Sequence, residues 1–274
     1  MCEILCSTGT MIGRPNGRNY RLLEEFSGKL ECDGFEFMMY DSWYEEADEL
    51  LQFLQGLHLH VPVVHCEKRI GENISKGENL ETTFEKFETN CRIAQGLGAK
   101  KLVMHLWDGL TSDAYFDNNV NAYPVLRKIA EGYQLDLLVE NVVCNHESPL
   151  KHWGDLAEKY PDIHFIFDTK MAAFHEELDQ LYDAEHQWLM QKGHIRHFHV
   201  NDYAGGYKDW KNLRTLPIGK GHVDFDRFFA YIKECGYDGT FTVESTAFDA
   251  DGVVDLNMLN RQFTYIRKAM EKQE

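Results

Sequence analysis

Short runs of β-prone apolar residues recur along the whole chain, separated by longer segments in which apolar residues repeat at helical spacing. The runs occupy residues 3–8, 34–40, 61–67, 101–107, 136–142, 164–170, 195–202 and 240–245. The segment 83–98 is typical of the longer kind, and so is 225–236, which ends at Gly236, a residue type that commonly closes a helix. Eight strands alternating with helices predict an α/β fold, a single (β/α)8 TIM barrel formed by residues 1–274, with a doubly wound open sheet as the alternative.

Polar side chains interrupt these apolar runs near their carboxyl ends. In IRHFHVND, residues 195–202, the side chains of His197, His199 and Asn201 stand at alternate positions and share one face of the strand, while the apolar residues between them share the other. Five other runs carry a polar residue near the end: His65, His105, Glu140, Asp168 and Glu244. Active sites of (β/α)8 barrels lie at the carboxyl ends of the strands, so we expect these side chains to meet there.

Composition narrows the class of protein. The chain has 274 residues, 43% hydrophobic and 27% charged, and a formal net charge of −17, which repels nucleic-acid phosphates, so we expect no nucleic-acid partner. No apolar run approaches the roughly 20 residues that span a bilayer, and the N-terminal residues lack the pattern of a signal peptide. The seven cysteines contain no CxxC pair, which favours reduced thiols. We therefore expect a cytoplasmic protein without a membrane partner.

The predicted cluster has the chemistry of a cation site. Two glutamates, an aspartate and histidines in a confined space would repel one another or lose hydration without a cation. Carboxylate oxygens with one imidazole suit Mn²⁺, Mg²⁺, Co²⁺ or Zn²⁺. The sequence therefore predicts a divalent metal as cofactor and leaves its identity to the geometry.

The whole chain resembles the xylose isomerase-like TIM barrels, the superfamily of sugar isomerases, sugar epimerases and endonuclease IV. The resemblance is carried by VEN at 139–141, Asp168, HFHVND at 197–202, PIGKGHVDF at 217–225 and GYDGTFTVES at 236–245. It implies a divalent metal held by Glu140, Asp168, His199 and Glu244. The ketose epimerases of this family also use the two glutamates as an acid/base pair, which implies catalytic roles for Glu140 and Glu244.

The sequence departs from its relatives at the third metal site of endonuclease IV. That site takes a histidine three residues after the strand-six aspartate and an Asp-x-His before the glycine turn, where this chain has Met171, Leu213 and Thr215. Abasic-site nuclease activity is therefore disfavoured. Many ketose 3-epimerases also carry a substrate-contacting histidine at the Met171 position. His65 and His105 match ligands of the first two metals, so they are predicted either to bind a second metal or, the favoured interpretation, to hydrogen-bond the substrate.

The remaining candidates are single residues near the strand ends. Arg214, Trp107 and Lys170 are predicted to contact the substrate, Trp107 by stacking on a sugar face. His197 is predicted to support a ligand from one layer deeper. Residues 203–210, YAGGYKDW, are either a mobile lid or a packing element, and Asp202 is expected to brace the loop.

Together these features favour a metal-dependent isomerase or epimerase. It would move a proton α to a carbonyl of a small sugar or keto-polyol. A dehydratase of the inosose or dehydroshikimate type is the alternative on the same scaffold, and a non-catalytic sugar-binding protein is a further one. The expected partner is a small carbohydrate, and a homo-oligomer is left open.

Overall fold

The computed structural model describes residues 2–271 and contains eight parallel strands. They are β1 Glu3–Ser7, β2 Gly34–Met38, β3 Val63–His65, β4 Lys101–Met104, β5 Asp136–Glu140, β6 His164–Asp168, β7 Ile195–Val200 and β8 Thr240–Val243. The strand order, β1 to β8 in sequence, is that of a closed barrel. The predicted (β/α)8 barrel is confirmed, and the open-sheet alternative is wrong.

Helices lie between the strands, as the amphipathic spacing of the sequence predicted. Their bounds are α1 Leu23–Phe26, α2 Ala47–Gly56, α3 Arg69–Lys76, α4 Leu80–Gly96, α5 Phe116–Gly132, α6 Pro149–Lys159, α7 Thr169–Phe174, α8 Trp188–Gln191, α9 Phe225–Glu234 and α10 Leu256–Met270. The Asp224 side chain caps α9 by accepting a hydrogen bond from the backbone N–H of Arg227, and Gly236 beyond its end has φ +69°. Within residues 2–271, every helix is too short or too polar to cross a bilayer.

The chain divides into two compact units, one formed by residues 36–166 and the other by residues 1–35 with 167–274. In the unit 36–166, Met38 of β2 aligns with His65 of β3, and His65 aligns with Val103 of β4. Aligned residues of parallel strands point to the same side, so these three side chains share one face of the sheet. On the opposite face Phe165 of β6 stacks on Trp153 of α6, with ring centroids 4.3 Å apart.

In the other unit, β8 pairs with both β1 and β7. His197 aligns with Thr240 and His199 with Thr242, so the polar residues of β7 and β8 share one face. The alternate residues Phe198 and Phe241 stack on each other at 5.5 Å and also pack against phenylalanines of α9. The alternation that the sequence shows in this strand therefore separates a helix-facing apolar side from a polar side.

Candidate metal-binding and active site

Three predicted side chains of the unit 36–166 meet at the carboxyl ends of their strands. His65 ends β3, His105 follows β4, and Glu140 ends β5. Oε2 of Glu140 lies 3.2 Å from Nε2 of His65 and 3.0 Å from Nε2 of His105, and all three residues are at most 4% exposed. Nδ1 of His65 donates to the carbonyl of Cys66 at 2.8 Å, which leaves Nε2 as the nitrogen directed at the carboxylate.

His105 is held between two carboxylates. Its Nδ1 lies 2.9 Å from Oδ2 of Asp108, on the opposite side of the ring from Glu140. Burial alone would lower the pKa of His105, but Glu140 and Asp108 outweigh it and raise the pKa to about 9. Burial would likewise raise the pKa of Asp108, but His105 draws that pKa below its usual value. In this arrangement Nδ1 of His105 is hydrogen-bonded to Asp108, while Nε2 faces Oε2 of Glu140 without making a hydrogen bond to any residue among 2–271, so a second metal at Nε2 would have to displace this ion pair.

A second cluster lies in the unit of residues 1–35 and 167–274. Nδ1 of His199 on β7 lies 3.3 Å from Oε2 of Glu244 and 3.9 Å from Oδ2 of Asp168. Asp168 and His199 are fully buried, and the Glu244 side chain is 9% exposed. Asp168 is held in place because its Oδ1 accepts the backbone N–H of Met171 at 2.8 Å and its Oδ2 accepts the Asn201 amide at 3.1 Å.

The chemistry of this cluster fits a divalent cation. Two buried carboxylates converge on one imidazole, and Oε1 of Glu244 is buried without a hydrogen bond from any residue among 2–271. A buried carboxylate oxygen left in that state is costly unless a cation or a proton donor completes it. Oxygen donors with one imidazole nitrogen are the donor set that Mn²⁺, Mg²⁺, Co²⁺ and Zn²⁺ share.

His197 lies one layer deeper in β7, as predicted. Its Nδ1 hydrogen-bonds to the Thr240 hydroxyl and its Nε2 to the Thr242 hydroxyl at 3.0 Å, both on β8. The ring packs edge-on against His199, with centroids 5.4 Å apart. His197 therefore supports His199 by ring packing, in an orientation fixed by two threonines.

The three residues predicted to contact the substrate occupy different environments. Lys170 is 7% exposed, and its Nζ lies 4.0 Å from Oδ2 of Asp168. Arg214 is exposed on the loop that follows β7. Trp107 is fully buried and packs edge-on against Phe116 and His152. Because its ring has no exposed face, the structure does not support the expected stacking of Trp107 on a sugar.

Asp113, which the sequence did not single out, ties together the loops that follow β4 and β5. Its carboxylate accepts the backbone N–H groups of Asn145, His146 and Glu147 and lies 2.9 Å from Nε2 of His152. Burial would raise the pKa of Asp113, but these hydrogen bonds outweigh it and hold the pKa well below its usual range. Asp113 also stands within possible metal-binding distance of Cys144 and His152, but its oxygens are already occupied by these donors.

Glu36 is the other polar residue that sequence reasoning missed. It lies in the middle of β2 and is fully buried. It aligns with Val63, two residues before His65, and therefore points to the same face as His65, one layer deeper. Sequence reasoning missed Glu36 because it stands inside the apolar run GFEFMMY. A single charged residue within such a run could have indicated that its side chain lies on the polar face of the strand.

Asp202 braces the loop that follows β7, as expected. It exchanges backbone hydrogen bonds with Leu216 at 2.9 and 3.2 Å. Its carboxylate accepts the backbone N–H groups of Gly219 and Gly221, each at 2.8 Å, and of Val223 at 3.1 Å. One buried side chain thus organises the PIGKGHVDF segment.

Residues 203–210 are a packing element and not a free lid. Tyr203 is fully buried, and its hydroxyl donates to the carbonyl of Gly206 at 2.8 Å. The backbone N–H of Lys208 donates to the carbonyl of Phe174, whose ring contacts Trp210 edge-on. These contacts pin the loop at its beginning, middle and end.

Comparison with known proteins identifies the family. A family model described as xylose isomerase-like TIM barrel matches residues 26–264. The chain therefore belongs to that family, as its motifs predicted.

Individual relatives are distant. The chain is 25% identical over 184 residues to an uncharacterized protein of Methanocaldococcus jannaschii, a match that spans 63% of this chain and 57% of that protein. It is similar to the crystal structure of D-allulose 3-epimerase from Methylomonas sp., with a TM-score of 0.67, 15% identity and 98% of each chain covered. It is also similar to D-psicose 3-epimerase from Clostridium cellulolyticum H10 with D-tagatose, with a TM-score of 0.69, 13% identity, and 98% of this chain and 100% of that chain covered. At these identities the likeness shows a shared fold.

Proposed function

We propose that this protein is a divalent metal-dependent sugar isomerase or epimerase that moves a proton α to the carbonyl of a small sugar or keto-polyol. The observation that carries the proposal is the cluster of Asp168, His199 and Glu244, in which Oε1 of Glu244 is buried and accepts no hydrogen bond within residues 2–271. The similarity to two sugar 3-epimerases over nearly the whole chain supports it.

The metal would be held by Glu140, Asp168, His199 and Glu244. These residues come from β5, β6, β7 and the end of β8, four consecutive strands in the barrel order. When bound, a divalent ion supplies a Lewis acid that orients two neighbouring sugar oxygens and polarises the carbonyl. Its identity among Mn²⁺, Mg²⁺, Co²⁺ and Zn²⁺ is left to measurement.

Glu140 and Glu244 would act as the acid/base pair. One carboxylate removes the proton from the carbon next to the carbonyl, and the other returns a proton to the opposite face of the same carbon or to its neighbour. His65 and His105 hold the Glu140 carboxylate through Oε2, which fixes its direction before the substrate arrives. Because Glu140, His65 and His105 are at most 4% exposed, the electrostatic interactions between them are strong.

The test combines metal analysis with proton exchange. The purified protein, with and without added Mn²⁺, is assayed for bound metal and for incorporation of deuterium from D₂O into D-allulose and D-tagatose by NMR. We expect bound metal and exchange at the carbon next to the carbonyl. We expect Glu244→Gln to lower exchange by about 10²- to 10⁴-fold. Glu185→Gln, which alters an exposed glutamate, is the matched control.

The products separate the two reaction types. Exchange with retained substrate mass supports isomerisation, whereas loss of water from an inosose or from dehydroshikimate supports the dehydratase. The proposal is contradicted if the wild-type protein binds no metal after Mn²⁺ is added and if the Glu244→Gln variant exchanges deuterium at the same rate as wild type. Circular dichroism of each variant shows that the comparison is between folded proteins.

A further inference from the structure

Lys170 is a largely buried lysine whose ammonium lies beside Asp168. It lies in the first turn of α7, directly after β6, and is 7% exposed. Among residues 2–271 its ammonium makes no hydrogen bond, and its one ion-pair contact is with Oδ2 of Asp168 at 4.0 Å. Its Nζ is not fully enclosed, so the three donors of the ammonium remain available to a ligand that enters the site.

Asp168 does not satisfy this ammonium. The 4.0 Å separation exceeds hydrogen-bond distance. Both carboxylate oxygens of Asp168 already accept hydrogen bonds, Oδ1 from the backbone of Met171 and Oδ2 from the Asn201 amide. The donors of Lys170 therefore lie unused at the edge of the cluster that the proposed function assigns to metal and substrate.

We infer that Lys170 binds an anionic oxygen of the substrate, which makes the substrate an acidic sugar that carries a carboxylate or a phosphate. This inference rests on the proposed function and specifies its substrate class. An anionic oxygen would accept a hydrogen bond in which donor and acceptor are both charged, which is a stronger interaction than a neutral hydroxyl oxygen offers. Lysine suits this task because its ammonium is a compact point charge that can donate hydrogen bonds to either a carboxylate or a phosphate.

The test compares three ligands that share one ketohexose frame. D-tagatose is neutral, D-tagaturonate carries a carboxylate at C6, and D-tagatose 6-phosphate carries a phosphate there. Binding to the Mn²⁺-supplemented wild-type protein is measured by calorimetry, so the readout does not depend on turnover. We expect one of the two anions to bind about 10- to 100-fold more tightly than D-tagatose, and the better anion identifies the group.

Variants at position 170 assign the preference to the lysine. Lys170→Met is expected to remove the advantage of the anion over D-tagatose, and Lys170→Arg to retain part of it. Lys192→Met, which alters an exposed lysine, is the control and should bind all three ligands like wild type.

The outcomes separate this inference from the proposed function. Wild type that binds neither anion more tightly than D-tagatose overturns the role of Lys170, even if metal-dependent exchange is found. That role is also overturned if Lys170→Met weakens D-tagatose and the anions equally, because the lysine would then serve only to balance the buried carboxylates. A lysine-dependent preference for an anion, together with no proton exchange on any of the three ligands, retains the anion site and overturns the proposed chemistry.

Discussion

Nε2 of His105 lies 3.0 Å from Oε2 of Glu140, and both side chains are almost completely buried. Asp108 holds the other ring nitrogen at 2.9 Å, so rotation of the imidazole would break that hydrogen bond and the close ion pair with Glu140. The sequence left two roles open for His65 and His105: they could bind a second metal, or they could hydrogen-bond the substrate. The contact between His105 and Glu140 bears on which role His105 has.

The first prediction concerns metal stoichiometry. We expect the wild-type protein to bind one divalent ion per chain, because His105 is already engaged by Asp108 and Glu140. His105→Asn should leave the stoichiometry unchanged and lower turnover about 10- to 100-fold, since Glu140 loses the ion pair that His105 forms with it at 3.0 Å. Elemental analysis beside steady-state kinetics checks both. Two ions per chain in the wild type, falling to one in the variant, would show that His105 is a metal ligand.

The second prediction concerns stability against pH. The pKa of Asp113 lies below its usual range, so its stabilising contribution is present above the unfolded pKa of about 4 and is lost as the pH falls below it. Asp113→Asn should therefore reduce the free energy of unfolding by about 2–4 kcal/mol at pH 7, with the difference from wild type shrinking in acid. Urea denaturation at several pH values measures it. Asp183→Asn, at an exposed site, should show no such difference, and a gap that persists unchanged in acid would refute the cause given.

The third prediction concerns a close approach between α3 and the segment that carries His105. A Cβ at Gly71 would collide with the carbonyl oxygen of His105 and lie 2.9 Å from that of Leu106. Gly71→Ala should therefore lower stability by about 1–3 kcal/mol and reduce turnover. Gly154→Ala is the matched control, because a Cβ in this α6 position meets nothing within 4 Å. It should stabilise the protein by up to about 1 kcal/mol. Equal effects of the two changes on Tm would disprove the steric explanation.

The fourth prediction decides the role of Trp107. Its ring is fully buried against Phe116 and His152, and its Nε1 has no hydrogen bond within residues 2–271. Trp107→Ala should cost about 3–5 kcal/mol of unfolding free energy. Trp107→Phe should leave sugar affinity within about twofold, since no stacking contact worth about 0.5–1.5 kcal/mol is lost. A selective rise in KM for Trp107→Phe at undiminished stability would restore the stacking hypothesis.

The architecture was predictable because its signals are local and repeated. Alternation along IRHFHVND assigned His199 to the polar face, and the register with Thr242 confirms that face. The predicted strand runs extend beyond the observed strands: the run 101–107 contains β4, which ends at Met104. His105 therefore lies in a loop, where period-two parity no longer applies, and the same holds for Trp107, which the sequence predicted to stack on a sugar face.

What the sequence could not supply are contacts between segments distant along the chain. Asp113 accepts backbone hydrogens more than 30 residues away, and no local motif marks it. Lys170 was singled out from its parity with Asp168, but its lack of a hydrogen bond among the described residues depends on three-dimensional packing. Metal ligation by Glu140, Asp168, His199 and Glu244 stays a prediction that measurement must decide.

The double hydrogen bond between Asp202 and Leu216 has a consequence for how this site can diversify. It closes residues 203–215 into an excursion whose two ends are tied at the same place. The contacts of Tyr203, Lys208 and Trp210 fasten its first part, so a longer chain is expected to be tolerated best after Trp210, where each doubling of a flexible loop costs only about 0.6 kcal/mol. The anchor thus keeps a change of length in this excursion from reaching the PIGKGHVDF segment, which the Asp202 carboxylate holds through three backbone N–H groups.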